Sequence, residues 1–180
     1  KDVVENLDLI PSNINLSGAE IELIGVDDKE YILKGITDKL RRKYDYIILD
    51  CPPSLNMLTI NALTAATSVL VPIQCEYYAL EGLSQLIHTI DLVKDRLNKK
   101  LAMEGVVFTM YDARTNLSLQ VVENVKDNLQ QNIYKTIIPR NVRLAEAPSY
   151  GQPINIYDSR SAGAEAYRLL AEEVINREDK

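Results

Sequence analysis

The residues best suited to chemistry lie at four corners, each after a run that reads as a strand: Asp50-Cys51, Gln74-Cys75-Glu76, Thr109-Met110-Tyr111-Asp112 and Pro139-Arg140-Asn141. The first carries the most information. In Tyr44-Asp-Tyr-Ile-Ile-Leu-Asp-Cys-Pro-Pro-Ser54, residues Tyr46 to Leu49 suit a buried parallel strand and deliver Asp50 directly into a turn. Open α/β sheets keep their ligands outside the carboxyl ends of their strands, so Asp50 is where chemistry is first sought. Pro52 pushes Cys51 towards extended geometry, and Pro53 can open a helix, which leaves Asp50 at a rigid corner. One rigid carboxylate suits magnesium, directly or through water, because hard cations take oxygen ligands and share them with substrate phosphates. Taken as a motif alone, such an aspartate is more often a helix cap or turn residue. None of the seven glycines begins a Gly-x-x-x-x-Gly-Lys-[Ser/Thr] loop, so a complete nucleotide hydrolase cannot be built from these residues.

The elements that must position these corners alternate. A short strand is expected over Asn6 to Ile10, a helix from Leu16, and a clearer helix from Tyr31 to Lys43, with Ile32, Leu33, Ile36 and Leu40 on one face and a basic last turn. After the Asp50 strand come a helix over Leu55 to Ala66 and a β-branched strand, Ser68 to Gln74, whose Pro72 favours a sheet edge. Ala79 to Leu97 reads as the longest helix, followed by a strand (Glu104 to Met110), a helix including Leu117 to Leu129, and a strand (Tyr134 to Ile138). Arg140 to Tyr157 reads as a short helix plus loop, and Ala164 to Ile175 as a final amphipathic helix. This order calls for one α/β domain, a mostly parallel sheet with helices on both faces. The corners should then gather along one edge of that sheet.

Composition sets the remaining bounds. With 46% hydrophobic and 26% charged residues, the 180-residue chain is of ordinary globular make-up, which argues against disorder. A net charge of −6 speaks against wholesale binding to nucleic acid or anionic membrane, though a local basic patch can sit on an acidic protein. Cys51 and Cys75 form no C-x-x-C motif and read as reduced cytosolic thiols. His88 has no partner for metal binding and reads as surface or packing; the ten tyrosines read as core or interface, Tyr77-Tyr78 being the one pair worth testing as a stacking platform. No apolar run approaches the length of a membrane span, and the start, Lys-Asp-Val-Val-Glu-Asn, has neither a signal peptide's apolar region nor an initiating methionine, which suggests a chain cut from something longer.

The sequence resembles the ParA/Soj group of deviant Walker-type partitioning ATPases, a P-loop NTPase-like fold. The resemblance rests on Leu9-Ile-Pro-Ser-Asn, Gly18-Ala-Glu-Ile-Glu-Leu, Tyr44 to Leu55, Thr59-Ile-Asn-Ala-Leu-Thr and the run Val71 to Leu83. It continues through Thr109-Met-Tyr-Asp-Ala-Arg-Thr-Asn, Ile138-Pro-Arg-Asn-Val-Arg-Leu-Ala-Glu-Ala-Pro-Ser and Gly163-Ala-Glu-Ala-Tyr, in family order over essentially the whole chain. It implies that Asp50 is the Walker B aspartate, holding magnesium through water. Gln74, Cys75 and Glu76 match a switch-like corner near the γ-phosphate, for which strand-end packing is an equal alternative. Thr109, Met110, Pro139 and Asn141 match corners that line the adenine. Arg114 and Arg143, joined by Arg140, match surface arginines through which such dimers bind DNA without sequence preference, ordinary solvated ion pairs being the alternative. The family's glycine-rich loop, with the lysines that contact phosphate, is expected upstream of Lys1, so this chain alone is not expected to hydrolyse ATP. The implied whole is an ATP- and magnesium-dependent homodimer, cytoplasmic and nucleoid-associated, that binds DNA and answers to a ParB-like partner, with no membrane attachment. The alternatives are a MinD-like division-site ATPase, which the short, mixed-charge tail disfavours, and a non-catalytic α/β interaction module.

Overall fold

The structure is a computed structural model and describes residues 2–52, 54–77, 79–129 and 132–178. The expected helix opening at Pro53 and the Tyr77-Tyr78 pair therefore fall partly outside the described residues. The chain gathers into two compact units, the first made of Lys1–Thr67 and Leu92–Leu101, the second of Ser68–Asp91 and Ala102–Lys180.

The first unit opens with an antiparallel pair, β1 (Asp2–Val4) and β2 (Leu7–Asp8), turned through Asn6 at a positive φ. The helix expected from Leu16 is a 3-10 turn, Ile14–Gly18, capped by the Asn13 side chain, running into the single turn of α1 (Ala19–Glu22). The next helices match the periodicity closely: α2 (Ile32–Leu40) and α3 (Met57–Ala65). The buried Asn61 side chain ties them, accepting from Leu33 N–H at 3.1 Å and donating to the carbonyls of Lys29 (2.8 Å) and Met57 (3.1 Å). All its polar atoms are thereby used, as a buried amide requires.

One strand expectation is corrected. Residues 46–49 belong to no sheet, and Ile48 is 89% exposed. A β-branched and aromatic run supplies propensity, but a strand is stable only when neighbours take up its backbone groups and cover its side chains. No described strand does so here, and Asp50, exposed, closes an irregular segment rather than a strand.

The second unit holds a three-stranded parallel sheet in the order β3 (Ser68–Gln74), β4 (Ala102–Tyr111), β5 (Ile133–Pro139). Pro72 lies in β3, on the sheet's edge, where a missing N–H leaves no ladder bond broken. Between the strands run α4 (Ala79–Arg96), whose last residues from Leu92 belong to the first unit, and α5 (Asn116–Asn128). After β5 come α6 (Val142–Glu146), a 3-10 turn, α7 (Ile154–Tyr157) and α8 (Ala162–Glu178). Val106, Val107 and Phe108 at the middle of β4 are essentially inaccessible. Val107 joins Tyr134 and Ile138 of β5 against Ala166, Leu170 and Val174 of α8, so α8 covers one face of the sheet.

The amino ends of the strands are locked by polar contacts. Glu104 accepts from Ser68 Oγ at 2.8 Å and from the Tyr134 hydroxyl, while the Arg177 guanidinium lies 3.8 Å over the Tyr134 ring. Burial, then the Glu104 hydrogen bond, push the Tyr134 phenol well above its ordinary range. Burial alone would raise Glu173, but the N–H groups of Lys135 and Thr136, the Thr136 hydroxyl and Arg177 outweigh it and hold its carboxyl below the usual value. Gly105 sits inside this lock, where a Cβ would meet the Asn132 carbonyl at 2.8 Å, the Tyr134 ring at 3.0 Å and Arg177 at 3.1 Å. Gly105→Ala should lower the urea midpoint by the equivalent of about 1–3 kcal/mol, whereas Gly82→Ala, in open space on α4, should raise stability by about 0.5–1 kcal/mol. A Gly105→Ala protein as stable as the parent would contradict the packing described.

Candidate functional site

Parallel pairing brings the carboxyl ends of β3, β4 and β5 to one edge. The corner after β3 is bound to β4 by Cys75 N–H donating to the Thr109 carbonyl (3.0 Å), and the Thr109 hydroxyl donates to the Ile73 carbonyl at 3.1 Å. Burial pushes the Cys75 thiol up to about 11, so it is protonated at neutral pH and is no nucleophile. The corner after β5 is bound to β4 by Arg140 N–H donating to the Tyr111 carbonyl (2.8 Å). Between them, Met110 takes φ +55°, at a register shift separating the Phe108 and Tyr111 pairings. A left-handed methionine costs on the order of 1 kcal/mol, and such bulges re-aim a strand end beside a site.

Two caps then set the loops. Thr115 accepts from Ser118 N–H to start α5, and Asn141 accepts from Arg143 N–H (2.9 Å) and Leu144 N–H (3.3 Å) to start α6. The result is a cleft of about 510 Å³ lined by residues 111–114 of the β4 corner and 139–143 of the β5 corner. Its walls carry Tyr111, Pro139 and Val142 beside Asp112, Arg114, Arg140 and Arg143, so apolar and charged side chains share the cleft. Among the described residues no group of three or more histidines, cysteines, aspartates or glutamates could hold a metal ion, and no helix is long and apolar enough to cross a membrane.

The comparisons with known proteins agree with this arrangement. A family model described as an AAA domain matches residues 1–103. The sporulation initiation inhibitor protein Soj of Bacillus subtilis is 61% identical over 95% of this chain and 68% of its own length. The chromosome partitioning protein ParA of Myxococcus xanthus is 54% identical over 96% of this chain and 61% of its own. The chain belongs to the ParA/Soj family. A solved cobyrinic acid a,c-diamide synthase from Mycobacterium smegmatis, with bound ADP and magnesium, matches with a TM-score of 0.81 at 37% identity, over 96% of this chain and 63% of that one. The chain thus spans between 61% and 68% of the length of these proteins.

Of the residues singled out through the ParA/Soj resemblance, Pro139, Asn141, Arg114, Arg140 and Arg143 line the cleft. Thr109 and Met110 lie on the strand end just before it, Glu76 reaches it through Arg140, and Gln74 ends β3. Asp50 belongs to the first unit. All three arginines are ion-paired. Arg114 forks onto Asp112 at 2.9 and 2.7 Å, Arg140 meets Glu76 at 3.2 Å, and Arg143 meets Glu146 at 2.8 Å and Asp158 at 3.4 Å. The Arg114 side chain and its N–H hold the Asp112 carboxyl far below the carboxylate range. Asp112, named in the sequence only as part of its corner and given no role of its own, is the residue that anchors Arg114. Asn141→Ala should cost about 1 kcal/mol of local stability, seen as faster amide exchange over residues 142–146; unchanged exchange would show that the cap does not hold α6.

Proposed function

We propose that the full-length protein is an ATP-dependent dimerisation and DNA-binding switch in chromosome or plasmid partitioning, cytoplasmic and nucleoid-associated, and that a ParB-like partner resets it by triggering hydrolysis. The observation that carries this reading is the cleft formed by the β4 and β5 corners, with the β3 corner tied to its rim through Glu76 and Arg140. The identity to Soj supports the partitioning branch, and the ADP and magnesium of the Mycobacterium smegmatis neighbour support a nucleotide as the ligand.

The residues present fit such a ligand. Pro139 and Tyr111 would supply apolar walls for an adenine. Asp50 is one exposed carboxylate with no cluster of acidic or imidazole ligands around it among the described residues, which suits a hard cation held mainly by water and phosphate oxygens. Magnesium, when bound, neutralises charge on the phosphates during in-line attack by water. Asp50 would hold the cation through water, and Gln74 and Glu76 would serve as the switch-like corner near the γ-phosphate. The phosphate-binding loop is assigned to the part of the full-length protein outside this chain.

The three arginines supply the DNA contacts. The guanidinium ends of these pairs are exposed, so duplex phosphates compete with the carboxylates for them. In the full-length protein, Asp50→Ala should weaken magnesium-dependent ATP binding by about 10- to 100-fold in calorimetry, and Arg114→Glu with Arg143→Glu should weaken duplex binding and flatten its salt dependence. Unaltered ATP affinity would remove Asp50 from the metal site, and unaltered duplex affinity would remove the arginines from the DNA surface.

A further inference from the structure

The first unit carries a concentration of positive charge that the proposed function does not use. Residues 38–43 and 94–100 hold eight cations (Lys39, Arg41, Arg42, Lys43, Lys94, Arg96, Lys99 and Lys100) against two carboxylates, Asp38 and Asp95, in a chain whose net charge is −6. All eight are exposed.

These stretches meet at one place, the carboxyl end of α3. The Arg41 guanidinium donates to the Ala65 carbonyl at 3.1 Å, and the Asn98 amide donates to the carbonyls of Leu63 (3.0 Å) and Ala66 (2.8 Å). The Tyr31 hydroxyl also donates to the Leu97 carbonyl at 3.2 Å, which fixes the start of the α2 region on the end of α4. The Arg41 side chain that closes α2 and the Asn98 side chain beyond α4 therefore meet at the carboxyl end of α3. Basic residues in last turns ordinarily complement helix dipoles, but each helix end supplies only about half a negative charge. Three such ends do not account for eight cations.

The charges are also free. Arg41 pairs with Asp38 at 2.9 Å, while the other seven cations have no carboxylate partner among the described residues. Arg114, Arg140 and Arg143 of the second unit are all paired. Free, exposed lysines and arginines are what a polyphosphate backbone recruits, because each contact releases condensed counterions. No exposed side chain within the two stretches is a large hydrophobe, although Ile36, Tyr44 and Leu92 beside them are exposed, so vesicle binding is one arm of the test.

We propose that residues 39–43 and 94–100 form a second, sequence-independent contact surface for duplex DNA. The inference shares with the proposed function only the choice of DNA as partner. Phosphates lie along the basic surface around the α3 end, and Arg41 stays on Ala65 as the brace that holds the α2 end in place.

The test uses the full-length protein with ATP and magnesium and a short fluorescent duplex of arbitrary sequence, with anisotropy measured between about 50 and 200 mM salt. Two triple variants, Lys39→Glu with Arg42→Glu and Lys43→Glu, and Lys94→Glu with Lys99→Glu and Lys100→Glu, are compared with the Arg114→Glu, Arg143→Glu double variant. Each triple variant should bind about tenfold or more weakly at the low-salt end, with a log–log salt slope shallower by roughly 2.7 for three lost contacts. Loss in the triples with none in the double supports this surface and overturns the arginine assignment. Loss in the double with unchanged affinity and slope in both triples overturns this surface alone. A parent protein that binds no duplex overturns both, and binding to phosphatidylglycerol vesicles without duplex binding overturns the choice of DNA. If a triple variant fails to fold by circular dichroism, Lys99→Gln with Lys100→Gln, beyond the helix end, should still flatten the slope by roughly 1.8; no flattening overturns the proposal.

Discussion

Parallel pairing of β4 with both β3 and β5 is the constraint from which the second unit follows. Val106, Val107 and Phe108 are shut off from solvent in the middle of β4, and burying each such side chain contributes about 1.5–3 kcal/mol. Because the three strands run the same way, that burial also fixes where their ends go. The turns after Gln74, Tyr111 and Pro139 have to lie on one edge, whatever residues they contain. The site is thus a consequence of topology, and its side chains refine what the backbone has already placed.

The opposite edge does different work. There Glu104, Tyr134, Arg177 and Glu173 form a satisfied polar network, with Gly105 leaving room for the Asn132 carbonyl. A network in which every buried group has a partner rigidifies the strands it joins. Stability concentrates at the amino ends of the strands, while the carboxyl ends carry a left-handed Met110, exposed ion pairs and an open cleft. This division leaves the edge that carries the candidate site free to hold strain that would be costly elsewhere.

Much of this was legible in the sequence, for physical reasons that can be named. Ser68 to Gln74 is a β-branched run bounded by polar residues and appears as β3 with the same ends. The helical periodicity of Ala79 to Leu97 ends within one residue of α4. Tyr46 to Leu49 shows the limit of such reading, since propensity resides in the segment but a strand resides in its neighbours. Met110 gave no signal, because methionine is not a residue that favours positive φ and only the register shift beside it requires that turn. The pair Arg140–Glu76 spans residues far apart in sequence and exists only because the sheet brings two corners together. The basic last turn of the helix ending at Lys43 was legible in the sequence, the cluster at residues 94–100 was not singled out there, and the hydrogen bonds to Leu63, Ala65 and Ala66 bring both stretches to the end of α3.

The placement of the nucleotide at the carboxyl edge of β3 to β5 is tested most directly by amide chemical-shift mapping of the full-length protein with ATP and magnesium. The largest shifts are predicted at Thr109, Met110, Tyr111, Arg140 and Asn141, with Glu104 and Tyr134 at the opposite edge unmoved. Binding accompanied by shifts at Glu104 and Tyr134 but none at Thr109 to Tyr111 would contradict it.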